Sequence, residues 1–185
     1  MDSLIKICDR SEGLKWRLSF LNAGLGPLIA GDFGIIAAAK NSGKTSFLTS
    51  EGAFIASQLP KGKCVLWFNN EGPEQRVLLR IWSSVCGVPE KQIALNTEAA
   101  KEYYNRVMGG DVNKIKVVNA NGFSTRNIEE LVTKYDCGLI IIDQLDNVRS
   151  AGRKEEMEIN RLKHLYQWAR GLAKNYCPVL VATQG

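Results

Sequence analysis

The sequence predicts an α/β domain with a mostly parallel central sheet and helices on both faces. Short apolar segments rich in Val, Ile and Leu alternate with longer segments whose apolar residues recur at helical spacing. Strands that alternate with helices favour a parallel sheet covered on both sides. A short loop ending in Gly43-Lys44-Thr45 joins the first predicted strand to a helix, as phosphate-binding loops do in such sheets.

The individual elements follow from spacing and from the residues that end them. Residues 12–22 place Leu14, Leu18 and Leu21 at helical spacing, which predicts an amphipathic helix before the first strand. Ser124 or Thr125 is expected to cap a later helix. The other predicted helices are 46–56, 73–85, most of 90–110, the segment after 124, and 155–174, and the predicted strands are 32–38, 64–68, 115–119, 138–143 and 178–182.

Length and composition favour one globular domain over residues 1–185, with residues 1–24 as a lead-in helix. The formal net charge of +5 permits contact with nucleic acid, but the basic residues are scattered along the chain. No apolar run approaches the ~20 residues of a membrane span, and no secretion signal is visible, so we expect no membrane partner and a cytoplasmic location. Five cysteines without a Cys-x-x-Cys spacing predict small buried side chains in a reducing compartment.

The segment 38–45 has the small-x-x-x-x-Gly-Lys-Thr pattern of a phosphate-binding P-loop. Gly43 allows the backbone to approach phosphate oxygens closely. Lys44 supplies an ammonium for the outer phosphates, and Thr45 a hydroxyl for Mg²⁺. The start of the following helix adds a favourable dipole for an anion. The residues expected to bind the nucleotide are Lys40, Asn41, Ser42, Gly43, Lys44, Thr45 and Ser46.

Three further polar residues follow predicted strands, at the sheet edge where ligands bind in open α/β folds. Glu71 follows the second strand, Asp143 ends the fourth, and Gln184 follows the fifth. Each alone also fits a helix cap or an ordinary strand end, but their joint occurrence behind a P-loop favours hydrolysis of a nucleoside triphosphate. In that reaction Glu71 would position the attacking water, Asp143 would hold Mg²⁺, and Gln184 would contact the γ-phosphate.

These segments resemble the RecA-like ATPase domain of hexameric replicative helicases, the DnaB-like group and the phage primase-helicases. Asn69 and Asn70 depart from the Ser-Leu that this family more often has before the catalytic glutamate. The matching segments are 37–47 for the family's motif one, 68–73 for motif one-a, 140–145 for motif two and 178–184 for motif three.

The resemblance implies a RecA-like P-loop NTPase fold and a Mg²⁺-dependent ATPase, with Lys44, Glu71 and Gln184 as catalytic residues and Thr45 and Asp143 as metal ligands. It implies ATP and Mg²⁺ as cofactors, single-stranded DNA as a partner and a homo-hexamer in the parent protein, located in the host cytoplasm for a phage-encoded member. The family continues past motif three into DNA-binding loops and an arginine finger, so the domain is expected to be truncated after residue 185. Arginines 149 and 153 are finger candidates by location alone.

Two other interpretations of the same residues stay open at this point. A RecA-like ATPase of recombination or DNA packaging would share the nucleotide site and differ in its DNA-binding loops. A non-catalytic module that binds nucleotide to control assembly would bind ATP tightly without turning it over.

Overall fold

Five strands form one sheet in the order β1-β5-β4-β2-β3, and every neighbouring pair is parallel. The computed structural model describes residues 10–150 and 158–184. The parallel α/β architecture that the sequence predicts is confirmed, and the strand bounds differ from the prediction by one residue at most. The strands are β1 (Phe33–Ala37), β2 (Cys64–Asn69), β3 (Ile115–Asn119), β4 (Cys137–Asp143) and β5 (Val179–Thr183).

Helices cover both faces of this sheet, because successive residues of each strand point to opposite sides. Trp67 and Ile141 pack with the helices of one face, and Phe68 and Ile142 with those of the other. Helices α2, α3 and α5 cover the first face, and α6 and α7 the second. The helices are α1 (Ser19–Leu25), α2 (Lys44–Gln58), α3 (Glu74–Cys86), α4 (Glu90–Leu95), α5 (Thr97–Val107), α6 (Thr125–Val132) and α7 (Glu158–Asn175).

The predicted helix over residues 12–22 is wrong for its first part, since α1 begins only at Ser19. Tertiary contacts hold the preceding backbone in an extended path. Leu14 pairs with Leu28 in an antiparallel bridge, and the Lys15 backbone N–H and C=O both bond to the side-chain amide of Gln58 at 2.8 Å. These bonds satisfy the polar groups that a helix would otherwise satisfy, so the leucine spacing does not decide the conformation.

Other details refine the sequence prediction. The helical stretch over 90–110 divides into α4 and α5 at Asn96. Ser124 caps α6 in a reciprocal box with Asn127. The described cysteines are free thiols, and those at 64, 137 and 177 are buried as expected. Within residues 10–150 and 158–184, no helix is both long and apolar enough to cross a bilayer.

Gly138 and Gly171 provide a matched test of how β4 packs against α2. A Cβ at Gly138 would lie 2.9 Å from Leu59 Cδ1 and 3.1 Å from its Cγ, whereas nothing lies within 4 Å of a Cβ at Gly171. We expect Gly138→Ala to lower the free energy of unfolding by about 1–3 kcal/mol through overpacking. Gly171→Ala, within α7, should raise it by about 0.5–1 kcal/mol. Urea unfolding measures both, and equal effects would contradict the described packing.

Candidate nucleotide-binding site

The P-loop lies between β1 and α2, at the carboxyl edge of the sheet, and two of its residues adopt left-handed backbone. Asn41 has φ 63° and Gly43 has φ 91°. Apart from its two chain neighbours, no described residue has an atom within 4 Å of a Cβ built at Gly43. A side chain would therefore have room there, and glycine is favoured because of the left-handed backbone. α2 starts directly after it, which points the unsatisfied N–H groups of its first turn toward the loop's concave side.

The Lys44 ammonium lies inside the loop. It donates to the carbonyl oxygens of Ala38 at 2.6 Å and Ala39 at 2.9 Å, and the residue is only 7% exposed. These contacts hold the ammonium where phosphate oxygens can replace the carbonyls as acceptors.

A cavity of about 300 Å³ opens in front of the loop. Glu71 and Gly72 contribute from the loop after β2, and Gln144 from the residue after β4. The other lining residues are Asn41, Gly43, Lys44, Thr45 and Ser46 from the P-loop and α2, and Arg76, Val77 and Arg80 from α3. The cavity is therefore lined by cationic groups from the P-loop and α3 and by the carboxylate of Glu71, the kinds of group that triphosphate binding and hydrolysis require.

Thr45 and Asp143 are in direct contact, which joins α2 to the end of β4. The Thr45 hydroxyl donates to Asp143 Oδ2 at 2.9 Å, and the other carboxylate oxygen, Oδ1, is buried without a hydrogen-bond partner among the described residues. Burial raises the pKa of Asp143 above its ordinary value, although the Thr45 hydrogen bond opposes this. A buried carboxylate oxygen without a donor beside a threonine hydroxyl fits Mg²⁺, which prefers such oxygen ligands together with water and phosphate.

The loop after β2 is shaped by the two asparagines that depart from the family pattern. Asn69 is buried and accepts the Glu71 backbone N–H at 3.2 Å, while its own amide donates to the Gly72 carbonyl at 2.9 Å. Asn70 donates to the Gln144 carbonyl at 3.2 Å. These bonds fix the short turn that carries Glu71, whose side chain is exposed to the cavity.

Gln184 is held at the end of β5 by Asp146. The Asp146 carboxylate accepts the Thr183 hydroxyl at 2.7 Å and the Gln184 backbone N–H at 2.8 Å. The side-chain amide of Gln184 donates to Gln144 Oε1 at 2.9 Å. Gln184 therefore reaches the cavity through Gln144 rather than by lining it directly.

The structure brings most of the expected site residues to one place. Asn41, Gly43, Lys44, Thr45, Ser46 and Glu71 line the cavity, and Asp143 lies directly behind Thr45. Lys40 and Ser42 do not line it. The Ser42 hydroxyl donates instead to the Ala39 carbonyl at 2.6 Å. Arg149 lies over Gly122, away from the cavity, and residue 153 falls outside the described residues.

Sequence reasoning missed Arg76, Arg80 and Gln144. The two arginines are four residues apart on α3, so both lie on the same face of that helix, and this face lines the cavity beside Glu71. That spacing is visible in the sequence once α3 is placed. Gln144 carried no signal beyond its position after Asp143.

The burial of Asp143 predicts how the free energy of unfolding changes with pH. Its raised pKa means that the folded protein binds this proton more tightly than the unfolded chain, so the stabilisation is present at low pH and is lost as pH rises from 3.8 through the raised value. We expect Asp143→Asn, without metal, to be more stable than the parent protein at neutral pH, by a margin that shrinks toward acid. Urea unfolding at several pH values measures it.

The matched control is Asp136→Asn, whose exposed carboxylate pairs with Lys63 at 2.9 Å. This variant should show no such pH-dependent gain. Equal or lower stability of Asp143→Asn at neutral pH would contradict the described burial.

Solved structures share this fold. A DnaB-like replicative helicase, studied together with its interactions with primase, superposes with a TM-score of 0.77 at 14% identity, over 99% of this chain and 47% of the helicase. The ATPase domain of a second protein gives 0.78 at 15% identity, over 99% of this chain and 70% of that one. The chain thus spans about half the length of the helicase, and the expected RecA-like fold is confirmed.

Family membership comes from the sequence itself. A search of curated proteins finds no match to this chain. Residues 6–184 match a family model described as AAA domain, which spans the P-loop and the three strand ends that surround it. The chain therefore belongs to the AAA domain family.

Proposed function

We propose that this chain is the ATP-binding and ATP-hydrolysing motor module of a DnaB-like replicative DNA helicase, which acts on single-stranded DNA as a homo-hexamer in the parent protein. The observation that carries the proposal is the convergence of the P-loop, Glu71 and the Thr45–Asp143 pair on one cavity. The fold shared with a DnaB-like replicative helicase supports the DNA partner, and the net charge of +5 is compatible with it.

Binding would begin with the phosphates in the P-loop. The first N–H groups of α2 would donate to the β-phosphate oxygens, and the Lys44 ammonium would leave the Ala38 and Ala39 carbonyls for the β- and γ-phosphates. Arg76 and Arg80 face the same cavity from α3 and would add positive charge on its other side. Thr45 and Asp143 would hold Mg²⁺, which supplies charge neutralisation of the phosphate oxygens.

Hydrolysis would then depend on Glu71. Glu71 lies in a turn fixed by Asn69 and lines the same cavity as the P-loop. Its carboxylate can accept a hydrogen bond from a water that attacks the γ-phosphorus. As the new P–O bond forms, the bond to the β–γ bridging oxygen breaks and ADP leaves, while the Glu71 carboxylate takes one proton of the water. Lys44 stays on the outer phosphate oxygens and offsets the charge that develops there.

Two substitutions should separate binding from chemistry. Lys44→Ala removes a charge-assisted contact of about 1.5–3 kcal/mol, so the dissociation constant for Mg²⁺-ATP should rise about 10- to 100-fold. Glu71→Gln should bind Mg²⁺-ATP with near-parental affinity and lose about 10²- to 10⁴-fold in kcat. A fluorescent ATP analogue measures affinity, and phosphate release with oligo(dT) present measures turnover.

Matched controls lie close by in the chain. Lys61→Ala removes an exposed lysine in the turn after α2, and Glu74→Gln neutralises a carboxylate on α3 that does not line the cavity. Neither should change affinity or kcat by more than about twofold. Unchanged turnover in Glu71→Gln would refute its role, and tight ATP binding without turnover in the parental chain would favour the assembly-module alternative.

A further inference from the structure

Gln144 occupies an unusual position directly after Asp143. Its backbone is left-handed, with φ 72° and ψ 83°, and its residue is 2% exposed although it lines the nucleotide cavity. A non-glycine residue in this region carries a strain of order 1–3 kcal/mol, which persists only where the surroundings hold it. The hydrogen bonds that hold Gln144 in this conformation therefore indicate its role.

Both polar atoms of the Gln144 side-chain amide form hydrogen bonds with residues of the proposed reaction. Its Nε2 donates to Glu71 Oε2 at 2.7 Å, and its Oε1 accepts from Gln184 Nε2 at 2.9 Å. Asn147 donates to the same oxygen at 3.3 Å. One amide thus connects the ends of β2, β4 and β5.

The orientation of each amide in this series of hydrogen bonds follows from which atoms can donate and which can accept. The Glu71 carboxylate can only accept, so the amino group of Gln144 must face it. The Gln144 oxygen then faces Gln184, whose own amino group must point back. This fixes the Gln184 amide in one orientation and leaves its second N–H free to donate to a further acceptor. The γ-phosphate, which carries only acceptor oxygens, is such a group.

We propose that Gln144 is a positioning residue that couples γ-phosphate contact at Gln184 to the placement of the Glu71 carboxylate. The coupling rests on the proposed function, because it needs a triphosphate in this cavity. Gln144 lines the cavity and Gln184 does not, so Gln184 would meet the γ-phosphate only when a bound triphosphate reaches past the cavity wall, and Gln144 itself would contact neither the phosphate nor the attacking water. It acts by holding the two residues that do, and a displacement of about 1 Å at such a site can change a rate about 100-fold.

Two variants of Gln144 separate this role from a structural one. Gln144→Met keeps the length of the side chain and the same backbone strain but removes both hydrogen bonds. Gln144→Gly relieves the left-handed backbone and removes the side chain. Gln167→Met is the matched control, since it makes the same chemical change on the exposed face of α7.

The first measurement needs no turnover. Dissociation constants for Mg²⁺-ADP and for a non-hydrolysable Mg²⁺-ATP analogue give a triphosphate preference for each protein. In Gln144→Met we expect unchanged ADP affinity and a preference about tenfold lower, because the Gln184 amide is no longer oriented. Gln167→Met should match the parent. An unchanged preference in Gln144→Met would overturn the coupling, whether or not the protein hydrolyses ATP.

The second measurement is turnover. Both variants should lose about 10- to 100-fold in kcat, with KM for ATP rising about as far as the triphosphate preference falls, and Gln144→Gly should unfold at the same or higher denaturant concentration than the parent. A role confined to stability predicts the reverse: lower stability with parental kcat, which would refute the proposal. An inactive parent would refute the proposed hydrolysis instead, and the triphosphate preference would still decide the role of Gln144.

Discussion

The parallel pairing of β4 with β2 on one side and β5 on the other is the constraint on which the whole site depends. The register places Asn69 level with Asp143, and Ile142 level with Val181. Because all these strands run the same way, the residues that follow them emerge at one edge. A shift of one residue in either pairing would send Asp143 or Asn69 to the opposite face of the sheet.

The site concentrates features that oppose stability. Among the described residues, the two non-glycine residues with positive φ are Asn41 and Gln144, and both belong to it. Asp143 is buried with one oxygen lacking a donor, and Lys44 is buried against carbonyl oxygens. Strain and incomplete solvation of this kind are the usual accompaniment of a site that is preorganised for a charged ligand. Burial of the apolar central strands β2, β4 and β5 offsets the free-energy cost of this strain and incomplete solvation.

Most of the fold could be predicted because local and long-range requirements agree in the buried strands. Apolar runs such as 138–142 leave little choice of conformation, and the P-loop carries its own signature. The helix predicted over the first part of residues 12–22 was wrong because Gln58, 43 residues from Lys15, forms hydrogen bonds with the Lys15 backbone. Gln144 could not be found from sequence, since its partners Glu71 and Gln184 come near it only through the strand order. Its neighbour Asp143 could be found from the sequence, because an acidic residue at the end of an apolar strand itself indicates a candidate site residue.

The proposed function requires Thr45, Asp143 and the P-loop to form one Mg²⁺-nucleotide site at this sheet edge. A crystal structure of the chain with Mn²⁺ and a non-hydrolysable ATP analogue tests it most directly, because the anomalous signal of Mn²⁺ locates the metal independently of the nucleotide. We expect a single strong peak beside the Thr45 hydroxyl and the Asp143 carboxylate, with the γ-phosphate on Lys44. A metal bound elsewhere, or a nucleotide outside the P-loop cavity, would contradict it.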